Sequence, residues 1–564
     1  MNEMRPASPK AEPAVGADFR PSLTFTVGVV GHRELRGADR AAVSAEAARL
    51  FSLIASAVQA FQTEDAASGA SAYAAKAPVL RCLSGLAEGA DCLLAEAALQ
   101  SSWSLVAILP FAGEEFAKDF SDEGRNVYRS LLPRAASVCE LSGDLARGAE
   151  TYVEAGDFVV EHADLIVALW DGQPARGPGG TADVVARALR AGKPLLVMPP
   201  ADPAALRWLG GLGEDTASVV RHALATPREG EFPKAYFEDQ LGSSDWAIGV
   251  VRLMDRVLAA GASAPALPGP RPPSPASLPP SALKAQFDRA DRLAIAYGAR
   301  YRAAGLFRYG LILPAVAAAL IANTGGRPLE IAGNFAEFLV LVVLVLFSSA
   351  RWQGLTHERF VSYRLLAEEL RCAMLLERFS ALPPWRPSDW TAWLTEAYAR
   401  SAYPATVRLD QARLRAATDH LRCETYDQIA YLLMRATRYE LAAKRLSRIG
   451  IALSMLGVVF SGLRALFLLA DLSGRPMLGL NLAGLILPSL APVFLGLLSF
   501  NEYRRNSARY RSIAAQLQDA LAALDKTPLE RPALLLVANR ISSILRSESA
   551  DWRTLTRFRS VSAF

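Results

Sequence analysis

Four apolar stretches, Leu306–Ala322, Ala332–Ala350, Ile449–Ala470 and Leu478–Phe500, limit what the carboxyl half of this 564-residue chain can become. Each approaches the roughly 20 residues that an α-helix needs to cross a bilayer. Core helices of a large domain would show similar hydropathy, but the flanks argue for spans. The segments NTGGRPLEI and DLSGRPM, which join the first pair and the second pair, hold one arginine each. The opposite flanks carry Arg300, Arg302, Arg308, Arg351, Arg359, Lys444, Arg445, Arg448, Arg504 and Arg505. That asymmetry follows the positive-inside rule. It predicts two helical hairpins, with both termini and the large charged segments on the cytoplasmic side.

The hairpins read as tandem copies. After the second stretch comes HERFVSYRLLAEELR, and after the fourth RRNSARYRSIAAQLQ; a gapless match aligns Tyr363 with Tyr510, Ala367 with Ala514 and Leu370 with Leu517. A lead-in helix precedes each pair, with Ala296-Tyr297 in one and Ala430-Tyr431 in the other. Repeats of this kind suggest a pseudosymmetric membrane bundle. Ionisable groups are costly in a bilayer. Glu337, early in the second stretch, and Arg464, late in the third, are therefore pore-lining candidates, with snorkelling as the alternative. Asp471, at the outer end, reads as snorkelling. Small residues in PAVAAALIA and LGLNLAGLILP fit close helix packing and self-association.

Upstream, Gly261–Ser281 (GASAPALPGPRPPSPASLPPS) is too rich in proline for helix or strand and reads as a semi-rigid spacer. It divides the chain into a disordered arm (1–22), an α/β region (23–260), the spacer (261–281), a first helical unit (282–380), a helical connector (381–424) and a second helical unit (425–564). The arm lacks the apolar core of a secretory signal. Net charge is +5, and the arginines are spread along the chain without a basic patch interleaved with aromatics, which argues against nucleic acid as a partner. Five scattered cysteines show no metal-ligand spacing, so no metal is expected.

Residues 23–260 alternate apolar runs (TFTVGVV, PVLRCLS, SLVAILPF, ADLIVALW, KPLLVMP) with helical patterns rich in alanine and leucine. This predicts a doubly wound, Rossmann-like parallel sheet, in which ligands sit beyond the carboxyl ends of the strands. Candidate ligand-binding residues gather at those ends. The first run leads into Gly31, His32 and Arg33; the second into Ser84, Gly85, Glu88, Gly89 and Asp91; a later one into Asp171 and Gly172, followed by Gly179, Gly180, Thr181 and Asp183. Glycine turns that open helices leave backbone N–H groups free for a phosphate. Arg33 can pair with that phosphate or with a neighbouring carboxylate. His32 can meet a base or ribose, or hold a structural hydrogen bond. Asp171 suits a ribose hydroxyl or an Asp-Gly turn, Thr181 a helix cap or a ligand contact, and Asp183 a helix first turn. Trp170 reads as core.

These motifs, Gly31-His32-Arg33, SGLAEGAD (Ser84–Asp91) and GPGGTADVVARALRAGKPLLVM (Gly177–Met198), resemble the SLOG superfamily, whose members bind nucleotides or nucleotide-derived ligands in a Rossmann-like pocket. The carboxyl half resembles SLATT-type domains, the two-span membrane effectors of bacterial conflict systems. The enzymes of the superfamily carry a glutamate in P-G-G-x-G-T-x-x-E. Here Pro178-Gly179-Gly180 runs straight into Thr181, and no glutamate stands at that spacing. The resemblance therefore implies a sensor of a nucleotide or NAD-derived signal with no catalytic residues and no cofactor. It further implies a homo-oligomer in the bacterial inner membrane, serving antiphage defence. The alternative is a membrane-anchored enzyme that hydrolyses nucleotides or NAD.

Overall fold

The structure is a computed structural model that describes residues 18–557, apart from 36–37, 144–146, 175–176, 211–214, 228–231, 241–245, 264, 268, 274–277, 325, 349, 385–388, 403–405 and 471–474. Asp471 and most of the amino-terminal arm lie outside the described residues.

Eight strands form one sheet: β1 (Thr24–Gly31), β2 (Val79–Ser84), β3 (Ser104–Leu109), β4 (Ser137–Glu140), β5 (Leu165–Leu169), β6 (Leu195–Met198), β7 (Arg207–Leu209) and β8 (Val407–Arg408). Their order is β7-β6-β5-β1-β2-β3-β4-β8, parallel except for β7. The helices of this region are α1 (Arg40–Ala67), α2 (Ala90–Gln100), α3 (Gly113–Phe116), α4 (Asp122–Leu131), α5 (Ala149–His162), α6 (Thr181–Arg190), α7 (Thr216–Leu224), α8 (Phe232–Glu238) and α9 (Trp246–Leu258). Beyond the spacer come α10 (Lys284–Gly310), α11 (Ile312–Thr324), α12 (Arg327–Ser348), α13 (Ala350–Glu377), α14 (Trp390–Ala402), α15 (Gln411–Leu469), α16 (Arg475–Phe500), α17 (Tyr503–Leu524) and α18 (Arg531–Arg557).

The central strands are buried on both faces because helices cover both. Phe25, Val27 and Val29 of β1 and Leu165, Val167 and Leu169 of β5 join α1, α2 and α7 in one core. Ile166 and Ala168 of β5 face the other way, onto Phe158 and Val159 of α5 and Val184 and Val185 of α6. The five apolar runs of the sequence are thus β1, β2, β3, β5 and β6.

The sheet is not closed by the amino-terminal region. The segment read as a helical connector supplies β8, which pairs Val407 with Cys139 and Arg408 with Glu140. It also supplies α14, whose Trp390, Trp393, Leu394 and Tyr398 share the core of β1 and α1. The proline spacer is docked too. Arg271 pairs with Asp427 of α15 at 2.7 Å, and the Gly269 carbonyl accepts from Tyr426 at 2.8 Å.

Four helices are long and apolar enough to cross a membrane, by length and composition: Arg40–Ala67, Lys284–Leu320, Gln411–Leu469 and Ala483–Leu524. The first is α1, whose Val43, Ala47, Leu50, Phe51, Ile54 and Val58 instead cover the sheet. The four stretches picked out from the sequence fall in the end of α10 with α11, in α12 up to the start of α13, in the last third of α15, and in α16. Apolar side chains there face outward: Ile331, Phe335, Phe338 and Val345 on α12, and Met455, Val458, Leu466 and Leu469 on α15 are exposed. Small residues set the contacts between these helices. A Cβ on Gly333 would meet the backbone of Ala318 and Ala322, and one on Gly457 would meet Pro488, one of two prolines inside α16. Of the positions matched between the two hairpins, Ala367 and Leu370 on α13 and Ala514 and Leu517 on α17 are buried in both, whereas Tyr363 is buried and its counterpart Tyr510 only half-buried.

Candidate functional site

The sheet order reverses between β1 and β5, because the chain winds outward through β2, β3 and β4 before returning to the other side of β1. Such a switch point leaves a crevice where consecutive loops diverge. The residues beyond these two strands meet across it. His32 Nε2 lies 2.9 Å from Asp171 Oδ1, and both side chains remain accessible. The Asp171 carboxyl is held below its ordinary value, first by the backbone N–H of Gln173 and then by His32. Asp171 therefore makes both its turn and a bridge. Trp170 is only half-buried, and its indole N–H donates to the Gln173 carbonyl at 3.0 Å, so it braces this turn from the edge of the core.

Arg33 points to the next loop along. Its Nη1 donates to Asp119 Oδ2 at 2.8 Å, the same oxygen accepts from Tyr152 at 2.8 Å, and the guanidinium stands 5.3 Å from the Tyr152 ring centroid. Sequence reasoning missed Asp119 and Tyr152. Neither lies in a motif, and only the fold carries them to Arg33 from the loop after α3 and from the first turn of α5. Arg33 keeps 43% of its side-chain surface exposed, so it can meet an anion without leaving Asp119.

Much of the glycine serves packing within the protein. A Cβ on Gly31 would stand 2.3 Å from Ala90 Cβ, and one on Gly89, whose φ is +95°, would stand 2.1 Å from the Arg33 carbonyl oxygen. These two glycines let the first two loops close on each other, with the Ala90 N–H donating to His32 O at 3.0 Å. Gly179 (φ +77°) likewise packs against Tyr152. Gly172 (φ +82°) and Gly177, by contrast, face open space, as a ligand-facing backbone requires. Gly180, not Thr181, is the N-cap of α6; Thr181 is already its first helical residue and makes no side-chain cap.

The carboxylates divide by role. Asp183 accepts from the Gly179 N–H at 3.0 Å and from Arg187 Nε at 3.2 Å, which fixes the turn before α6 and keeps its carboxyl below the usual range. Glu88 binds the hydroxyl and N–H of Ser121 at the start of α4, so it braces an adjoining helix. Asp91 differs. Burial pushes its carboxyl up to about 7, against the pull of the Ala87 and Gly31 N–H groups and the Arg33 charge. Ser84 is fully buried beneath it; its hydroxyl donates to the Asp91 carbonyl and accepts from the Leu86 N–H, both at 3.1 Å, which holds Leu86 at φ 50°. Gly85 has the Asp91 carboxylate 3.0 Å from where a Cβ would stand.

The structure thus brings Gly31, His32, Arg33, Asp91, Asp171 and Gly172 to the switch point, with Glu88 and the 179–183 turn on its flanks. Glu337 and Arg464 lie on α12 and α15; among the described residues, no ion pair joins them. Arg464 is exposed and Glu337 half-buried.

A cavity of about 200 Å³ lies at the opposite, amino ends of the strands, lined by Thr24, Tyr73, Asp164, Lys193, Trp393 and Arg400 among others. It is the seam between the sheet and α14. Compared with known proteins, the chain matches no family model and no curated protein.

Proposed function

We propose that this chain is a membrane effector with a built-in sensor. A nucleotide or NAD-derived signal binds at the β1–β5 switch point of a Rossmann-like, SLOG-like domain. The four apolar stretches of the carboxyl half, Leu306–Ala322, Ala332–Ala350, Ile449–Ala470 and Leu478–Phe500, sit in the bacterial inner membrane and respond by oligomerising, opening a pore or disrupting the bilayer in antiphage defence. The observation that carries this reading is the joining of His32 and Asp171 across the switch point, beside an accessible Arg33, in a chain whose other half exposes apolar helices. Exposed apolar surface on that scale is covered by lipid or protein. The motif resemblance to SLOG and SLATT proteins supports the same assignment.

Helix α5 offers a route between the two halves. Its first turn carries Tyr152 beside Gly179 and Asp119. Further along it, Glu154 and Glu161 face the buried Arg531 of α18, whose guanidinium lies 4.9 Å from the Phe158 ring centroid and donates to the carbonyls of Phe379 and Ser380. A ligand shifts the bundle only if it binds one arrangement of this route more tightly than another.

The test uses the full chain in liposomes, because β8 and α14 complete the sheet. Thermal melting against linear and cyclic nucleotides and NAD derivatives is paired with dye-release assays and product analysis. A ligand recovered intact that raises the Tm and triggers release supports the proposal; no binding across the panel and no release would sink it. One observation favours a second reading, hydrolysis at the same pocket: a carboxyl titrating near 7, as Asp91 does, suits a general acid or base. Cleaved product in the same assay would select it.

A further inference from the structure

Helix α9 has three faces. Ala247 and Val251 are buried against Ala299 and Ala303 of α10, and Leu258 packs with Ala442, Ala443 and Leu446 of α15 and Tyr503 of α17. Arg445 donates to the Val257 and Leu258 carbonyls at 2.9 and 3.0 Å, closing the helix end. A second face carries Arg252 and Arg256, both exposed. The third is apolar and uncovered: Trp246, Val250, Leu253 and Val257 are 68%, 41%, 64% and 63% exposed. Their spacing of four, three and four residues places them within about 60° of arc at 3.6 residues per turn. That is the narrow seam by which one helix packs against another.

We infer that this seam is a self-association face, occupied by a second copy of the chain. The contacts that hold α9 gather at the arginine-rich ends of the apolar stretches: Ala299 and Ala303 precede Leu306, Leu446 precedes Ile449, and Tyr503 follows Phe500, while the cluster that takes in Leu258 reaches only Phe494, Leu497 and Leu498 in the last two turns of the fourth stretch. The seam therefore stands at the arginine-rich ends of the stretches, away from their apolar centres. Gly249, beside the seam, has nothing within 4 Å of where a Cβ would be. Glycine in a helix interior costs about 1 kcal/mol relative to alanine, and nothing in a single copy requires it; close approach of a neighbouring helix does. Pairing the four exposed side chains of each copy would remove at most about 1,000 Å² from water in total, the low end for a specific interface. The side-by-side placement of copies rests on the membrane reading, and the test separates the two.

All five native cysteines are buried, so single surface cysteines report cleanly. Under mild oxidation of the full chain in membranes, Leu253→Cys forms a disulfide-linked dimer at least tenfold more than Arg252→Cys, one residue round the helix. In nanodiscs, Val250→Glu with Leu253→Glu lowers the particle to a single chain while resistance to carbonate extraction and the Tm stay unchanged. Equal cross-linking of the two cysteine variants, no cross-linking of either, or a wild-type chain that is already single overturns the inference. So does quenching by brominated lipid of a fluorophore on Leu253→Cys, which would put the bilayer on the seam. A wild-type chain extracted by carbonate defeats the membrane reading instead, and the cross-linking comparison then holds or fails in solution.

Discussion

The two ends of the sheet are built from similar residues to opposite effect. At the amino ends of the strands, Arg400 of α14 pairs with Asp164, whose side chain is 1% exposed, and with Glu396. Around them the Tyr73 and Trp393 rings meet edge to face at 5.6 Å, and Asp164 accepts from the Thr26 N–H at 2.8 Å. At the carboxyl ends, Arg33, Asp119, His32 and Asp171 also pair, but each keeps 30–45% of its side chain exposed. The buried pair joins the sheet to the helices that follow it, and the exposed pairs can exchange a protein partner for a ligand. Burial, rather than the presence of charge, separates a mount from a site.

The largest effect expected from breaking this contrast is at the mount. Arg400→Met leaves Asp164 buried without its partner and should destabilise the full chain by about 3–5 kcal/mol in denaturant melts, with no change in ligand affinity beyond that loss. At the site, Gly89→Ala meets the Arg33 carbonyl and a φ of +95°, and should cost about 2–3 kcal/mol, whereas Gly172→Ala, with φ +82° but open space, should cost about 1 kcal/mol. A Gly89→Ala protein as stable as Gly172→Ala would show that the first two loops are not tightly closed.

Asp91 sharpens the comparison through pH. Its folded carboxyl is raised above the unfolded value, so between about pH 4 and 7 the native state holds a proton that the unfolded chain has lost. Its contribution is most favourable at the acid end and declines as pH rises through that window. Asp91→Asn should flatten this slope in melts taken from pH 4 to 8; an unchanged slope would place the titration elsewhere. Arg33→Ala should lower the affinity for any phosphate-bearing ligand at least tenfold while moving stability by less than about 1 kcal/mol, because the ion pair it loses is exposed. A binding isotherm with and without the substitution checks this. The smallest effect is at Gly177→Ala, where a Cβ meets nothing: the Tm should hold, and affinity should drop a few-fold only if the ligand's phosphate approaches that backbone.

The sequence showed the long elements because their patterns are self-contained. β5 is apolar on both faces and β1 on one, with Val30 ending the other, and the hairpins are built of long unbroken apolar stretches. It hid β4, β7 and β8, which are four, three and two residues long and carry too few side chains for any periodicity. The closure of the sheet by Val407 and Arg408 has no local signature, since the partner strand lies some 270 residues earlier. At the candidate site, the loops were legible from their glycines and charges, but the reason for Gly31 and Gly89 was not: the atoms that exclude a side chain belong to a different loop. Asp119 and Tyr152 were invisible for the same reason. Helix α9 is legible only once its packed face is known, because only then is the remaining apolar stripe seen to lack a cover.

The late arrival of β8 also shapes how the protein is made. Until residue 408 leaves the ribosome, the Ser137–Glu140 strand has an open edge, and open edges invite pairing with other chains. At ordinary synthesis rates that interval lasts about 15–50 s, and the first apolar hairpin emerges within it. On the membrane reading proposed above, the first hairpin would be ready to insert while the sheet is still unfinished, its β4 edge open until β8 is in place.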